Sequence, residues 1–310
     1  MSPTHLATVL IAAALSGFAF ACASDSAVAG PTASAEPPPA APGHKAAHVR
    51  VYLFRGFAGV VFSRGTDKLA EELEQAGFAA TVNEAMMCPA IAKEAIQDYQ
   101  ADPAPIAVIG HSVGGACALS FAGLLNAEKI PVGLVVTTDP AQITQDVPAN
   151  VGRYINVFQS DSLLGGREVG PAEGFKGHFA SFDIAEHKEI SHVNMEKDET
   201  IHSQLVSKVQ QLAATPAMAE GEIVPLRLSV PPDAVIELWD SGMPVFSHPG
   251  DTLQTLATLY HVPPWALAQI NAVSYGAPLP PGQRIIVPRH LVPIAAPDNG
   301  ATSGLALPKH

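Results

Sequence analysis

The sequence has few basic residues and few cysteines, and each shortage argues against a class of protein. Lys and Arg together number 17 against 29 Asp and Glu, and the net charge is −12. Such a chain has too few cations to neutralise many phosphates, so no nucleic-acid partner is expected. Its three cysteines, Cys22, Cys88 and Cys117, are too few for a disulfide framework and lack metal-ligand spacing. We therefore expect no metal, while a Cys88–Cys117 disulfide and buried free thiols both remain open.

The N-terminal region is apolar and then rich in proline. Residues 6–23 form a nearly unbroken apolar run with the small-x-small pattern Ala19-Phe20-Ala21, which predicts export by a signal peptide over 1–23. Two alternatives stay open: the run is long enough for a membrane anchor, and Cys22 is placed as a lipidated cysteine would be. Pro, Ala and Ser dominate residues 31–47, so 24–47 is predicted to be a linker.

The next part of the chain alternates short β-rich runs with helical patterns. Such alternation predicts an α/β domain with a mostly parallel sheet and helices on both faces, over residues 48–213. At 310 residues with 47% hydrophobic content, the chain has room for this core and for a second domain. The expected strands are 51–54, 106–109, 133–137 and 154–158, and the expected helices are 67–75, 113–125 and 200–212.

A five-residue motif, Gly110-His111-Ser112-Val113-Gly114, lies between an apolar strand and a helix-forming run. It matches the G-x-S-x-G turn in which a serine nucleophile sits on a strained bend, with glycines where strand and helix nearly touch. In this context residues 48–212 resemble an alpha/beta-hydrolase of the small esterase, lipase or thioesterase kind. The resemblance implies Ser112 as the nucleophile and a catalytic base and acid further along the chain.

The family's chain order points to the other catalytic residues. His192 holds the place of the base, between the last expected strand and the helix 200–212. His202 is expected to be a surface or packing residue, His178 and His187 to lie in a polar segment, and His111 to face away from Ser112. Two aspartates qualify as the acid: Asp139, whose Asp-Pro-Ala context resembles the pancreatic-lipase group, and Asp161.

The oxyanion hole of such an enzyme needs two amide donors. Val113, directly after the nucleophile, is expected to supply one. The segment Arg55-Gly56-Phe57-Ala58-Gly59 resembles the His-Gly loop of lipases, with Arg55 in the usual place of His, and Phe57 is the expected second donor. No long insertion that would build a lid is evident, so an open site for short or exposed acyl groups is expected.

The C-terminal part carries a second set of marks. They are Ser247-His248-Pro249-Gly250-Asp251-Thr252-Leu253, then Leu256, Ala257, Tyr260, Val262, Leu267, Ile270-Asn271, and finally residues 279–288. Together they resemble a βααβ LysM module over 244–289, before a disordered tail at 290–310. The preceding residues 214–243 are expected to be a linker with β-leaning segments such as 223–230, where a small hairpin remains open. The resemblance implies binding of peptidoglycan or another N-acetylglucosamine-containing glycan. The implied contacts are Gly250, Asp251, Thr252, Leu253, Ala277, Pro278 and Leu279.

These features predict an exported serine hydrolase of carboxylic esters or thioesters, periplasmic or otherwise in the cell envelope, localised by its glycan-binding module. No cofactor is implied, and a membrane tether at the N-terminus remains open. One alternative is a peptidoglycan deacylase or amidase. Another is a catalytically inactive scaffold whose function is glycan binding.

Overall fold

The computed structural model describes residues 48–57, 64–166, 168–214 and 221–291. The expected signal or anchor at 1–23 and the linker at 24–47 fall outside these residues. So do Ala58, Gly59 and residues 292–310 of the expected tail.

Within the described residues, seven strands form one sheet in the order β2-β1-β3-β4-β5-β6-β7, and all neighbouring strands are parallel. The sheet matches the predicted fold class. Its strands are β1 (Arg50–Arg55), β2 (Ala79–Glu84), β3 (Ile106–His111), β4 (Leu134–Thr138), β5 (Arg153–Phe158), β6 (His178–Asp183) and β7 (Leu226–Ser229). The helices around it are α1 (Arg64–Gln75), α2 (Cys88–Ala101), α3 (Val113–Ala127) and α4 (Glu199–Ala214).

Each face of the sheet has its own hydrophobic core. On one face, α1 and α4 bury Leu69, Leu73 and Leu205 against Val51 and Ala107. On the other face, α2 and α3 pack against the opposite-facing residues of the same strands, such as Val108. Because both faces are covered, every residue of β3, β4 and β5 is buried, and most of these residues are apolar.

A disulfide joins Cys88, at the start of α2, to Cys117 in α3, with the two Cα atoms 5.8 Å apart. It ties together the two helices that cover one face of the sheet. Of the two possibilities that the sequence left open for these cysteines, the structure has the bridge.

Three strands, β2, β6 and β7, and the helix α2 were not among the elements expected from sequence. The segment containing His178, expected to be polar and irregular, is β6, and its first five residues are buried. The segment 214–243, expected to be a linker, contains β7, which pairs with β6 and adds a seventh strand to the sheet. β6 contains polar residues that find partners in the fold: Ser181 Oγ accepts a hydrogen bond from Asn156 Nδ2, and His178 Nδ1 lies 2.8 Å from Ser241 Oγ.

The C-terminal module has the βααβ order. β8 (Ser241–Phe246) pairs antiparallel with β9 (Arg284–Arg289), and α5 (Leu253–Tyr260) and α6 (Pro264–Asn271) lie between them in the chain. A small core that includes Leu256, Leu267 and Ile285 holds the helices on the two strands. The predicted tail begins in ordered structure, since the Leu291 N–H donates to Asp240 Oδ2 and His290 Nε2 lies 2.8 Å from Glu237 Oε1.

Among the described residues, no helix is both long enough and apolar enough to span a membrane.

Candidate active site

Ser112 occupies a strained turn between β3 and α3. Its backbone has φ 57° and ψ −122°, a conformation that L-residues rarely adopt. The chain is so close-packed here that a Cβ on Gly110 would lie 2.1 Å from the Gly114 carbonyl oxygen, and one on Gly114 would lie 2.1 Å from that of Phe54. The two glycines of the motif are therefore required by the backbone contacts that hold the turn.

His192 links Ser112 to Asp139. Its Nε2 atom lies 3.1 Å from Ser112 Oγ, and its Nδ1 atom lies 2.5 Å from Asp139 Oδ2. Asp139 is fully buried, Ser112 is nearly so, and the His192 side chain is slightly exposed. The three residues follow the carboxyl ends of β3, β4 and β6, so the parallel sheet brings them to one edge. Such an arrangement allows an imidazole to remove the serine proton while a carboxylate orients the ring.

Asp139 is held as an ionised carboxylate. Its Oδ1 atom accepts hydrogen bonds from the backbone N–H groups of Gln159, at 3.1 Å, and Gly166, at 2.8 Å. Burial raises the pKa of this carboxyl group, but the hydrogen bonds from His192, Gln159 and Ser162 outweigh burial and lower the pKa below its ordinary value. A charged carboxylate at this position is suited to stabilise a protonated His192.

Asp161, the other aspartate considered as the acid, lies elsewhere. It is exposed, and its Oδ2 atom accepts a hydrogen bond from Lys188 Nζ at 2.8 Å. This surface ion pair lowers the pKa of the Asp161 carboxyl group. The carboxylate that the fold brings to His192 is that of Asp139.

His111 takes part in the site in a way that the sequence did not indicate. Its Nε2 atom lies 2.8 Å from the backbone carbonyl oxygen of His192, so that nitrogen must carry a proton and donate it. Burial lowers the pKa of His111, and the neighbouring His192 lowers it further, which favours a neutral ring. On its other side, His111 Nδ1 lies 4.0 Å from Glu196 Oε2. The sequence shows that a histidine directly precedes Ser112, but it does not show this contact, because the partner of His111 is 81 residues away.

The loop after β1 lies against Ser112. A Cβ on Gly56 would lie 3.4 Å from Ser112 Cβ and 2.9 Å from His111 Nδ1, so only a glycine fits here without a shift of the neighbouring side chains. Arg55 forms ion pairs with Glu84 and Asp67 that anchor this loop. Phe57, the residue expected to donate to the oxyanion, follows directly and is exposed. Val113 begins α3, where helix N–H groups lack intrahelical acceptors.

His202 and His187, the two other histidines considered between β6 and the end of α4, have hydrogen-bond partners outside the triad. His202 is buried, with Nε2 2.7 Å from the Glu196 carbonyl oxygen and Nδ1 3.1 Å from Glu72 Oε2. It is thus a packing histidine. His187 is also buried and lies beside Glu189, with Nδ1 2.9 Å from Oε1.

The two loops expected to bind glycan meet in the C-terminal module. Thr252 and Pro278 form an isolated antiparallel bridge, and the Leu279 N–H donates to the Asp251 carbonyl oxygen at 2.8 Å. Gly250 has φ +90° with open space around it, and Thr252 caps α5 through a capping box with Thr255. Ala277 and Pro278 lie at the surface. The side chains of Leu253 and Leu279 are buried in the module core, so only their backbone could contact a ligand.

Comparison with known proteins identifies this module. The family model of the LysM domain matches residues 248–288. This part of the chain is a LysM domain. The match covers a small share of the 310 residues and does not extend to the α/β domain.

No curated protein matches the chain in sequence. Among solved structures, human thioesterase 2 is similar with a TM-score of 0.38 and 10% identity, covering 56% of this chain and 100% of that one. A protein described as a hydrolase of the alpha/beta superfamily, from Xanthomonas campestris pv. campestris, is similar with a TM-score of 0.32 and 14% identity. That likeness covers 53% of this chain and 95% of the other.

Proposed function

We propose that this chain is a serine hydrolase that cleaves carboxylic esters or thioesters and is held at the cell wall by its LysM domain. The observation that carries the proposal is the line of hydrogen bonds from Asp139 through His192 to Ser112, on a strained turn at the edge of a parallel sheet. A serine hydroxyl is a weak nucleophile at neutral pH and needs a base at this distance.

In the proposed reaction, Ser112 Oγ attacks the substrate carbonyl carbon while His192 Nε2 takes the hydroxyl proton. The tetrahedral intermediate collapses, the bond to the alcohol or thiol breaks, and His192 returns the proton to the leaving group. Water then attacks the acyl-serine with His192 again as base, releasing the acid and restoring Ser112. Asp139 keeps the His192 ring oriented and stabilises its charged form.

The negative charge that develops on the carbonyl oxygen also needs donors. The backbone N–H of Val113 lies in the first turn of α3, where the helix dipole favours negative charge. The N–H of Phe57 is the proposed second donor, because the preceding Gly56 lies against Ser112. Together they form the proposed oxyanion hole.

Exposed apolar side chains on the loops around the triad favour an apolar acyl group. Leu163 is 94% exposed, Ile143 is 93% exposed and Phe57 is 84% exposed. Each is close in sequence to a residue that contacts the triad: Gly165 and Gly166, after Leu163, lie against Asp139, and Gly56, before Phe57, lies against Ser112. The N–H of Ala141, two residues before Ile143, donates to the Ser112 carbonyl oxygen. Apolar surface of this kind commonly marks a binding site.

Cell-envelope localisation is proposed on three grounds. LysM modules bind N-acetylglucosamine-containing glycans, which in bacteria are usually peptidoglycan. The Cys88–Cys117 disulfide is typical of an oxidising compartment. The apolar N-terminal run, although outside the described residues, has the pattern of an export signal.

Hydrolysis of p-nitrophenyl esters from acetate to dodecanoate tests the chemistry. Wild type should hydrolyse them, and Ser112→Ala should reduce kcat by roughly 10⁴-fold or more. Ser203→Ala is the matched control, because Ser203 is an exposed residue on α4 whose hydroxyl donates only to the neighbouring Thr200 carbonyl. Activity retained in Ser112→Ala, or a wild type that neither hydrolyses an ester nor reacts with a fluorophosphonate at Ser112, would refute the proposal.

A further inference from the structure

A groove of about 640 Å³ runs between the LysM helices and the segment 231–237, which follows β7. Gln254, Trp265 and Tyr275 line it on the LysM side, and Asp233 and Glu237 line it on the other. Its volume is in the range of sites that bind small molecules. The groove is distinct from the Ser112 site and includes none of the seven residues expected to contact glycan.

The two walls of the groove are joined by direct contacts. Gln269 on α6 makes paired hydrogen bonds with the backbone of Ser229, at 2.8 and 3.0 Å. The rings of Trp239 and Trp265 lie 6.1 Å apart. The Gln204 side chain anchors the end of the 231–237 segment: its Oε1 atom accepts a hydrogen bond from the Leu238 N–H, and its Nε2 atom donates one to the Ile236 carbonyl oxygen. A ligand would therefore meet a largely preformed site, which lowers the entropic cost of binding.

The chemistry of the walls suits a saccharide. The Tyr275 ring is 46% exposed and Trp265 is partly exposed, and the C–H faces of pyranose rings pack well on such aromatic surfaces. Asp233 and Gln254 are exposed, and their planar carboxylate and amide groups can bind neighbouring sugar hydroxyls. Two carboxylates in the groove, those of Asp233 and Glu237, disfavour a polyanion.

The groove also continues the LysM loops. Gln254 is two residues after Thr252, and Tyr275 is two residues before Ala277. Each of the two loops expected to contact glycan is therefore followed or preceded in the chain by a residue that lines the groove. From this continuity we propose that the groove binds further sugar units of the same N-acetylglucosamine-containing strand that the LysM loops hold. The inference rests on the proposed glycan binding, and it adds a second saccharide site built partly from the hydrolase domain.

A second cavity shares part of its lining with the groove. It holds about 280 Å³, has Asp233, Ala234 and Val235 in common with the groove, and is also lined by Glu189 and Ile190. The segment 231–237 therefore borders both spaces.

The test is calorimetric titration of the full chain with N-acetylglucosamine oligomers from the dimer to the octamer. Affinity of wild type should rise with length once an oligomer reaches the groove. Tyr275→Ala combined with Gln254→Ala should weaken the longest oligomers about tenfold and leave the shortest within about twofold. Leu259→Ala is the matched control, because Leu259 is 48% exposed on α5 and does not line the groove.

The outcomes separate this inference from the proposed function. If the double variant binds every oligomer as tightly as wild type does, the groove proposal is wrong and LysM binding stands. If wild type binds no oligomer, both the groove and the glycan part of the proposed function fail. Hydrolysis of p-nitrophenyl esters is measured separately and does not depend on the groove.

Discussion

The imidazole of His111 donates a hydrogen bond from Nε2 to the backbone carbonyl oxygen of His192, at 2.8 Å. The residue before the proposed nucleophile, Ser112, thereby holds the main chain of His192, the proposed base. Because His192 sits on an irregular segment between β6 and α4, this bond limits how far its ring can move from Ser112 Oγ. We infer that His111 is a positioning residue.

Replacing His111 should slow the chemical step without weakening substrate binding. His111→Leu removes the donor and should reduce kcat between about 10- and 100-fold with KM nearly unchanged, since small misplacements of catalytic groups are costly. His111→Gln keeps an N–H donor and should restore most of kcat. Steady-state kinetics on a p-nitrophenyl ester measures both. Equal losses in the two variants, or a rise in KM alone, would contradict a positioning role.

The identity of the acid can be tested with a pair of isosteric changes. Asp139→Asn should reduce kcat by roughly 10⁴-fold, because the amide cannot stabilise the His192 imidazolium. Asp161→Asn removes only a surface ion pair with Lys188 and should leave kcat within about twofold. The reverse pattern would assign the acid to Asp161.

The close approach at the nucleophile turn predicts a stability effect. Gly114→Ala would place a Cβ 2.1 Å from the Phe54 carbonyl oxygen, so the backbone must shift. We expect a loss of about 1–3 kcal/mol in the free energy of unfolding, together with lost activity. Gly276→Ala is the control, because nothing lies within 4 Å of its added Cβ. Urea unfolding compares the two, and equal midpoints would contradict the expected strain.

The buried His178 predicts a pH dependence of stability. Burial, followed by the charge of Arg289, lowers the pKa of His178 to about 4 from 6.5. As pH falls below 6.5, the unfolded chain takes up a proton that the folded chain does not, so stability is lost between pH 6.5 and about 4 and little further below that. The loss is on the order of 3 kcal/mol.

His178→Gln removes this titration. Urea unfolding at several pH values should therefore give a flatter stability profile for the variant than for wild type between pH 7 and 4. Parallel profiles would show that His178 does not take part in the pH dependence.

The disulfide predicts a redox dependence of stability. Cys88 and Cys117 are 29 residues apart, and a loop of that length corresponds to about 3.6 kcal/mol of stabilisation in the chain-entropy description. The Cys88→Ala/Cys117→Ala double variant should be less stable by that amount, and dithiothreitol should lower the unfolding midpoint of wild type only. A wild type insensitive to reductant would contradict the prediction.

The strands that could be recognised in the sequence are buried along most of their length and carry mostly apolar residues. β3 and the apolar part of β4 are of this kind. β7 escaped recognition because Leu226 and Leu228 alternate with exposed Arg227 and Ser229, as in a surface hairpin. β6 escaped recognition because the partner of its His178 Nδ1 atom is 63 positions away. Their place in the sheet depends on non-local partners.

The nucleophile turn could be recognised from the chain alone because its requirements are local: an apolar strand, two glycines where backbones touch, and a helix directly after Ser112. The LysM domain could be recognised for a similar reason, since its caps and turns lie within about forty residues. The choice of Asp139 over Asp161, the role of His111 and the groove beside Trp265 required the folded chain. Each depends on groups far apart in sequence, and only the packing of strands and helices determines which of them meet.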